Sequence, residues 1–482
     1  MLLVLILFFP LVAAVLTFAS GNKLASKVAL GLSAIEFVLS LVLLKDYVQL
    51  GSVASFTHDW ILNPKITFAI SSDGLSLLMV LLTTFLVPVI ILSSIDKEVE
   101  NAKSFYALVL LMQFALIGVF VAMDGFLYYI FWELALLPIY FIALLWGENK
   151  DKEFRNTAIF KFFVYTLAGS LFMLVAFIYL YSKANSFMLQ DLYALDLSNG
   201  EQCWIAAAFF LAFAIKIPVF PFHTWQADTY KEAPTVGTML LAGIMLKMGL
   251  YSLLRWLLPV APHGVMALNP LLITLSVIGI IYGSIIAIQQ KDVKKLLAYS
   301  SFAHVGLIAA GIFSLTIEGF QGAVVQMLAH GVNVVGAFFA GEIILRRTGT
   351  LEISKLGGIR NVAPKFATVF ILVVLASVAL PTTNAFIGEF LLLYSTFEYN
   401  TYLAIVAGMT IILGAVYMLK MYQRIMLGET NSLTIGFTDL TISELSVFVI
   451  LIAAIFICGV YPKPILHIAG PALDNILKFT LR

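Results

Sequence analysis

Charged side chains are scarce in this chain. Only 11% of its 482 residues are Asp, Glu, Lys or Arg, against about a quarter in soluble domains. Hydrophobic residues make up 61%, and the mean hydropathy is +1.02. Apolar runs recur from end to end, which excludes a soluble domain with a single anchor. The composition predicts a polytopic membrane protein.

Cysteine, net charge and an N-terminal processing signal are also lacking. The two cysteines, Cys203 and Cys458, lie far apart in apolar runs, which predicts buried thiols, with neither a disulfide framework nor a metal site. The net charge of +1 gives no indication of a nucleic-acid partner. The start, MLLVLILFFPLVAAVLTF, has no basic segment and no clear cleavage site. We therefore expect it to be the first membrane helix.

The apolar segments predict an all-α membrane fold of about fourteen transmembrane helices. The predicted helices are 1–19, 26–44, 74–94, 104–122, 125–146, 157–182, 203–229, 234–259, 269–289, 294–314, 319–346, 365–396, 400–427 and 442–461. The polar, turn-rich stretch 50–72 predicts an extramembrane hairpin. Asp124 precedes a predicted helix and is expected to cap it.

The distribution of positively charged residues predicts which side of the membrane each loop faces. Seventeen lysines and arginines lie in loops after odd-numbered helices and seven lie on the other side. Cytoplasmic loops of membrane proteins are enriched in these residues. Both termini are therefore predicted to be periplasmic and the odd loops cytoplasmic.

Two of the predicted helices are interrupted. One contains Pro218 and Pro221, and the other contains Pro381 followed by Thr-Thr-Asn. Proline removes a helix hydrogen bond, and in lipid the freed carbonyl must be satisfied by protein or water. Paired broken helices are typical of transporters built from inverted repeats.

An equal spacing between two pairs of charged residues supports two repeat units. Lys216 and Lys247 are 31 residues apart, as are Glu389 and Lys420. We expect an N-terminal part at 1–103, repeat one at 104–260 (helices 4–8), repeat two at 269–428 (helices 9–13), and a C-terminal helix and tail at 429–482. An odd number of helices per unit requires opposite orientations, so the repeat is predicted to be inverted.

Four charged residues lie deep inside apolar segments: Glu133, Lys216, Lys247 and Glu389. A charge at membrane depth costs at least about 2.5–3.5 kcal/mol, and such residues usually line an ion or proton path. Each also has an ordinary structural interpretation. The glutamic acid at 133 could be satisfied by a helix neighbour, the lysine at 216 could cap broken carbonyls, and Glu389 could cap the second half-helix.

Four further residues, His304, His330, Lys161 and His223, are candidates for a proton relay. His304 and His330 lie within predicted helices and are either ordinary buried histidines or relays, since imidazole both donates and accepts. Lys161 and Lys420 are either snorkelling lysines or part of the path, and Lys420 ranks lower. His223 follows the first break, near its expected cytoplasmic mouth.

Other classes of membrane protein explain fewer of these residues. A haem cytochrome needs paired axial histidines and leaves the buried lysines unexplained. An organic-solute carrier explains the breaks but not the ionisable residues in both halves, and a structural scaffold needs none of them. Movement of protons or cations fits best.

Five long blocks carry a specific resemblance. In order over about residues 70–430, they are FWELALLPIYFIALLWG, RNTAIFKFFVYTLAGSLFML, FAIKIPVFPFHTWQADTYKEAPTVGTMLLAGIMLKMGLY, DVKKLLAYSSFAHVG and LPTTNAFIGEFLLL. They resemble the antiporter-like membrane subunits of respiratory complex I. Glu389 indicates the M type, because the L and N types and Mrp-type antiporter subunits usually have lysine on that helix. An Mrp-type or hydrogenase-type antiporter subunit is the alternative.

The resemblance implies a proton-translocating subunit of NADH:quinone oxidoreductase without a redox centre of its own. In this family Glu133 pairs with a lysine, Lys216 lies at the break, Lys247 joins the halves and Glu389 lies at the exit side. His304 and His330 match positions along the same hydrated axis. FMN, iron–sulfur clusters and quinone are expected in other subunits. The implied partners are L- and N-type subunits, the lateral helix of the L type and lipids, in a bacterial inner membrane.

Overall fold

The computed structural model describes residues 1–51, 53–148 and 151–481. Lys150 and Arg482, which contribute to the predicted orientation, and Ser52 of the predicted hairpin lie outside these residues. Helices dominate the described part, and one two-stranded sheet accompanies them.

The elements follow one another with short connections. In chain order they are α1 (Leu2–Ala19), α2 (Ala25–Leu50), β1 (Ala54–Leu62), β2 (Lys65–Ser72), α3 (Gly74–Leu92), α4 (Ala102–Val121), α5 (Gly125–Trp146), α6 (Lys152–Ala184), α7 (Leu189–Tyr193), α8 (Asn199–Lys216), α9 (Gln226–Glu232), α10 (Thr235–Val260), α11 (Pro262–Gln289), α12 (Val293–Phe313), α13 (Ile317–Thr348), a 3₁₀ turn (Ile353–Lys355), α14 (Ile359–Val362), α15 (Pro364–Ser377), α16 (Asn384–Tyr399), α17 (Thr401–Met426), α18 (Ile442–Val460) and α19 (Lys463–Thr480).

The predicted membrane fold is confirmed. Twelve helices of the described residues are long and apolar enough to cross a membrane. The two interrupted helices, α8 with α9 and α15 with α16, complete the predicted fourteen. The predicted boundaries differ most from the structure at two helices. Helix α2 continues to Leu50, and α11 begins at Pro262, where proline at the first helical position is favourable.

The predicted hairpin and cap are present. β1 and β2 pair antiparallel, from Ala54 opposite Ser72 to Leu62 opposite Lys65. Asp124 accepts hydrogen bonds from the backbone N–H of Phe126 and of Leu127, and it also accepts one from Thr67 on β2. One carboxylate therefore caps α5 and fixes the hairpin against it.

The fold places three helices at its centre. All of α10 is buried, and so is most of α12 and α13. By contrast, α2, α17 and α18 expose apolar side chains over most of their length. A helix that is apolar all round lies inside a bundle, and one with a single buried stripe lies at its edge. The central helices carry the buried lysine at 247 and both histidines.

The C-terminal tail contains a helix that the sequence analysis did not predict. Helix α19 buries Ile468, Leu473 and Ile476 and leaves Asp474 and Lys478 exposed. Its buried positions recur every three to five residues, so the signal is amphipathic periodicity. Such a helix has no continuous apolar run by which it could be recognised.

The equal spacings of 31 residues do not mark equivalent positions. Lys216 is the last residue before the first break, whereas Glu389 is the sixth residue of the half-helix after the second break. The second residues of the two spacings differ as well, since Lys247 is fully buried and Lys420 is exposed. The two breaks therefore support a repeat in the two halves of the chain, and the equal spacing of charged residues does not.

Candidate functional site

Helix α10 changes its winding where Lys247 is held. Residues Leu241–Met245 form a π-helical turn, a feature that is frequent at functional sites. The Lys247 ammonium donates to the Ala242 carbonyl, five residues earlier, at 2.6 Å. Its second contact is with Nδ1 of His330 on α13, at 2.8 Å. No part of Lys247 is exposed to solvent.

The contact between Lys247 and His330 constrains where protons lie. An ammonium group can only donate, so Nδ1 of His330 accepts when Lys247 is charged. The remaining proton of the neutral imidazole is then on Nε2. That atom is buried and has no hydrogen-bond partner among the described residues. His330 is therefore not a histidine with both nitrogens satisfied by protein.

His304 on α12 has the opposite environment. Nδ1 lies 2.7 Å from the Ser300 carbonyl, and Nε2 lies 3.1 Å from the Ser377 carbonyl and 3.3 Å from Oε1 of Glu389. Backbone carbonyls and an ionised carboxylate only accept hydrogen bonds. Both ring nitrogens therefore have acceptors, which favours the doubly protonated imidazolium paired with Glu389.

A small cavity connects the two histidines. The ring centroids of His304 and His330 are 6.1 Å apart. Both rings line a cavity of about 30 Å³ together with Ser301, Gln326, Asn333 and Ser377. A cavity of this size and polarity holds on the order of one or two water molecules. Lys247, His330, His304 and Glu389 thus form a row with direct contacts at each end and a space for water in the middle.

Glu389 lies inside the bundle, well past the start of its half-helix. Position Thr383 precedes α16, so the expectation that Glu389 could cap this helix is wrong. The side-chain amide of Gln326 on α13 donates to Oε1 of Glu389 at 3.3 Å. A Cβ atom at Gly388 would lie 2.5 Å from Oε1 of Gln326. Glycine therefore lets α16 approach α13 closely enough for this contact.

Several polar residues of this site were missed from the sequence, namely Ser300, Gln326, Asn333 and Ser377. Two of them carried a usable signal. Ser300 precedes His304 by four residues, and Gln326 precedes His330 by four, so each pair shares one face of a helix. Ser377 contributes only its backbone carbonyl, which is free because the helix stops there.

The first break holds Lys216 in an apolar setting. Its Nζ lies 5.4 Å from the centroid of the Trp132 ring, a cation–π geometry, and has no hydrogen-bond partner in the described part of the chain. Trp225 donates to the Ile215 carbonyl at 2.9 Å, so other groups satisfy the break. The interpretation of Lys216 as a cap for broken carbonyls is therefore wrong.

Glu133 follows Trp132 on α5 and is an electrostatic neighbour of Lys216. Ser170 and Tyr129 lie beside its carboxyl group. Oε1 is buried without a hydrogen-bond partner, and no ion pair within 4 Å joins Glu133 to Lys216 among the residues described. The two groups are close enough to influence each other's charge. They are separated in this conformation.

The remaining predicted relay and helix-break residues lie away from the row. Lys161 donates to the Thr224 carbonyl at 2.7 Å and lies 3.9 Å from Asp228, so it supports the first break. His223 packs among aromatic rings, with its centroid 4.6 Å from that of Phe302. Pro218 and Pro221 lie in the non-helical segment between α8 and α9, and Pro381 lies between α15 and α16.

Known proteins of one family are similar to this chain over most of its length. A family model described as NADH:quinone oxidoreductase/Mrp antiporter, TM, matches residues 122–414. The chain is 39% identical to NADH-quinone oxidoreductase subunit M of Rickettsia prowazekii (strain Madrid E), over 98% of this chain and 97% of that relative.

Solved structures have the same fold. A chain of respiratory complex I from Thermus thermophilus with bound NADH superimposes with a TM-score of 0.91 at 30% identity, with all of both chains covered. A chain of the Mrp complex from Dietzia sp. DQ12-45-1b gives a TM-score of 0.84 at 20% identity over 100% of this chain and 52% of that chain. The second likeness is one of fold alone.

Proposed function

Because this chain belongs to the NADH:quinone oxidoreductase/Mrp antiporter family of membrane subunits, we propose that Lys247, His330, His304 and Glu389 form the path along which it moves a proton. The chain is a proton-translocating membrane subunit of NADH:quinone oxidoreductase, of the M type. An independent antiporter is less well supported, because the likeness to the Mrp chain is limited to the fold.

One observation carries the proposal. A fully buried lysine contacts a histidine at 2.8 Å, and a second histidine contacts a buried glutamate at 3.3 Å. A buried ammonium is costly unless it has a partner, and a neutral imidazole is a poor permanent one. Lys247 is therefore poised to release a proton to His330 when the surrounding charge changes.

The Glu133–Lys216 pair supplies that change in the proposed mechanism. Energy from quinone reduction reaches the subunit as a charge or shape change near Glu133. Closing the pair stabilises the proton on Lys216, and opening it favours release toward Lys247. Unit charges about 4 Å apart interact by about 4 kcal/mol at an effective dielectric constant of about 20, which is nearly a thousandfold in an equilibrium constant.

Besides the space for water between the two histidines, the proposed route has a second step without a direct contact, from Lys216 to Lys247. No polar side chain bridges Lys216 and Lys247 within the described ranges. Helix α10 nevertheless packs closely against the break, since a Cβ at Gly249 would lie 2.4 Å from Ile217. Water that enters the non-helical segment between α8 and α9 would complete this step.

The surroundings of the subunit are part of the proposal. We place it in a bacterial inner membrane with both termini periplasmic, between L- and N-type subunits and against the lateral helix of the L type. FMN, iron–sulfur clusters and quinone belong to other subunits. We assign residues 104–260 and 269–428 to the two inverted repeats, residues 1–103 to the N-terminal part with the hairpin 50–72, and 429–482 to the C-terminal part.

The proposal is tested by Lys247→Met in membrane vesicles that carry the whole complex. Methionine keeps the length and loses the charge. We expect an assembled complex in which NADH-driven proton uptake and quinone reduction both fall strongly. Lys420→Met is the matched control, because Lys420 is an exposed membrane-helix lysine outside the row. Normal rates and a normal proton-to-electron ratio in assembled Lys247→Met would refute the path.

A further inference from the structure

A second cluster of buried charge lies at the end of α10 opposite to the hairpin. Lys294 donates to Oε2 of Glu148 at 2.5 Å and to the Ala233 carbonyl at 3.0 Å. Lys97 forms an ion pair with Glu342. Lys294 and Glu342 are almost completely buried, whereas the side chain of Glu148 is 25% exposed.

Thr235 joins the two carboxylates of this cluster. Its hydroxyl lies 2.9 Å from Oε1 of Glu148 and is in hydrogen-bond contact with Oε2 of Glu342. The backbone N–H of Thr235 also donates to Oε1 of Glu148, at 2.9 Å. A hydroxyl has one proton, so it can donate to only one of the two carboxylates. Both contacts are favourable together only when one carboxyl group carries an additional proton.

The cluster opens outward into a cavity. A cavity of about 190 Å³ is lined by Lys97, Glu98, Glu100, Glu148 and Thr235. It lies among the loops that follow α3 and α5, which are the lysine-rich side predicted to be cytoplasmic. Water in this cavity reaches Glu148, and two of its lining residues, Thr235 and Lys97, contact Glu342.

The same two helices connect the cluster to Lys247. Thr235 and Lys247 are both on α10, and Glu342 and His330 are both on α13, and the members of each pair are 12 positions apart. The contacts Thr235–Glu342 and Lys247–His330 thus lie about 18 Å apart along one helix pair. Both contacts would move together if α10 shifted against α13.

The cavity that both histidines line extends along α12 and α13 toward the cluster, which reduces the distance between the cluster and the row. Its lining includes Leu297, three residues after Lys294, and Ala337, five residues before Glu342. Along the helix axes these steps amount to about 4.5 and 7.5 Å. Along the axis of α13, Glu342 therefore lies about 7.5 Å from a residue that lines the space for water beside His330.

We propose that Glu148, Thr235 and Glu342 form a proton inlet, in which the Thr235 hydroxyl relays a proton from the exposed carboxyl to the buried one. The inlet would supply the row at Lys247, so this inference rests on the proposed function. In the relay step the Thr235 O–H bond breaks as an O–H bond forms on Glu342. The Thr235 oxygen takes the proton of Glu148 at the same time, so no charge stays on the hydroxyl.

The two lysines set the resting state of the inlet. Lys97 and Lys294 balance the two carboxylates, so the cluster without its additional proton has no net charge. A proton that enters from the cavity makes the cluster positive and weakens the hold of Lys294 on Glu148. Repulsion from Lys294, which is paired with Glu148, favours transfer of that proton away from Glu148, and repulsion from Lys97, which is paired with Glu342, favours its onward release from Glu342.

Substitution of Thr235 tests the inlet in membrane vesicles that carry the whole complex. Thr235→Val keeps the shape and the backbone N–H and removes only the hydroxyl. We expect quinone reduction and proton uptake to fall about tenfold, about 1.4 kcal/mol in the barrier of a limiting proton transfer. The deuterium-oxide effect on the rate should increase, and Thr235→Ser should restore both readouts.

A second threonine on the same helix is the matched control. Thr238 is also buried, and its hydroxyl donates only to backbone carbonyls, such as that of Tyr230 at 2.9 Å. Thr238→Val should therefore leave both rates near normal. An assembled Thr235→Val complex with normal rates and a normal isotope effect would overturn the inlet, as would a Thr235→Ser complex as impaired as Thr235→Val.

The parallel Lys247→Met measurement separates the two proposals. If Lys247→Met abolishes pumping and Thr235→Val has no effect, the row stands and protons enter elsewhere. If neither variant has an effect, the row itself is wrong. If both lose pumping and serine rescues Thr235, both proposals are supported.

Discussion

The contact between His304 and Glu389 is the part of the row where charge can be tested in graded steps. Glu389→Gln keeps an oxygen that accepts from both His304 and Gln326, so the packing of α16 against α13 is preserved. The substitution removes the negative charge and the ability to take up a proton. Glu389→Asp keeps the charge but withdraws it by one methylene group, about 1.5 Å.

The magnitudes follow from the observed distance. At 3.3 Å and an effective dielectric constant of about 20, the ion pair is worth about 5 kcal/mol. At about 4.8 Å in Glu389→Asp the same interaction is about 3.5 kcal/mol. The difference of about 1.5 kcal/mol corresponds to roughly tenfold in the charged population of the pair. Glu389→Gln loses the whole interaction.

The assay is NADH-driven proton uptake and quinone reduction in vesicles, beside a native gel for assembly. We expect a graded order, with wild type fastest, Glu389→Asp about tenfold lower and Glu389→Gln lowest, all with assembled complex. Glu398→Gln is the control, because Glu398 is an exposed carboxylate on the same helix. Equal activity of Glu389→Gln and wild type, or equal loss in Glu389→Asp and Glu389→Gln, would refute the electrostatic argument.

Two further predictions test other parts of the structure. Glu133→Gln should lower quinone reduction and proton uptake together while assembly persists, because Lys216 then has no charged neighbour; unchanged rates in both assays would make Glu133 structural. Gly388→Ala should weaken packing of α16 against α13 by about 1–3 kcal/mol, because the added Cβ meets Gln326, and thermal dissociation on native gels measures this. Gly408→Ala, at a position with open space, should have no such effect.

The sequence was sufficient for most of the membrane architecture. Apolar runs of about 20 residues determine membrane helices almost by length alone, because every backbone polar group in lipid must be satisfied within its segment. The breaks could be placed because Pro218, Pro221 and Pro381 interrupt such runs. Helix α19 could not be found in this way, because its burial comes from packing of one face on the bundle.

The sequence predicted which residues form the candidate site better than it predicted which of them are in contact. A charge inside an apolar run is visible in the sequence, which identified Lys247 and Glu389. Which groups are in contact depends on how α10, α12, α13 and α16 pack against one another, and the order of residues along the chain does not show that packing. The inlet was invisible for a similar reason, since Glu148 and Lys294 lie in polar stretches where charged residues are ordinary.

The spacing within the row imposes an order on proton movement. The environment of His304 favours imidazolium, and the His330 ring is 6.1 Å away. Two positive rings at that distance would repel each other by about 3 kcal/mol at an effective dielectric constant of about 20. His330 can therefore accept the Lys247 proton readily only after His304 has passed its own to Glu389. Transfer of the proton from His304 to Glu389 therefore comes first, and this transfer allows Lys247 to release its proton. A complex with Glu389→Gln has no proton acceptor after His304, so a proton from Lys247 should travel no further than the two histidines even when Glu133 and Lys216 change their separation.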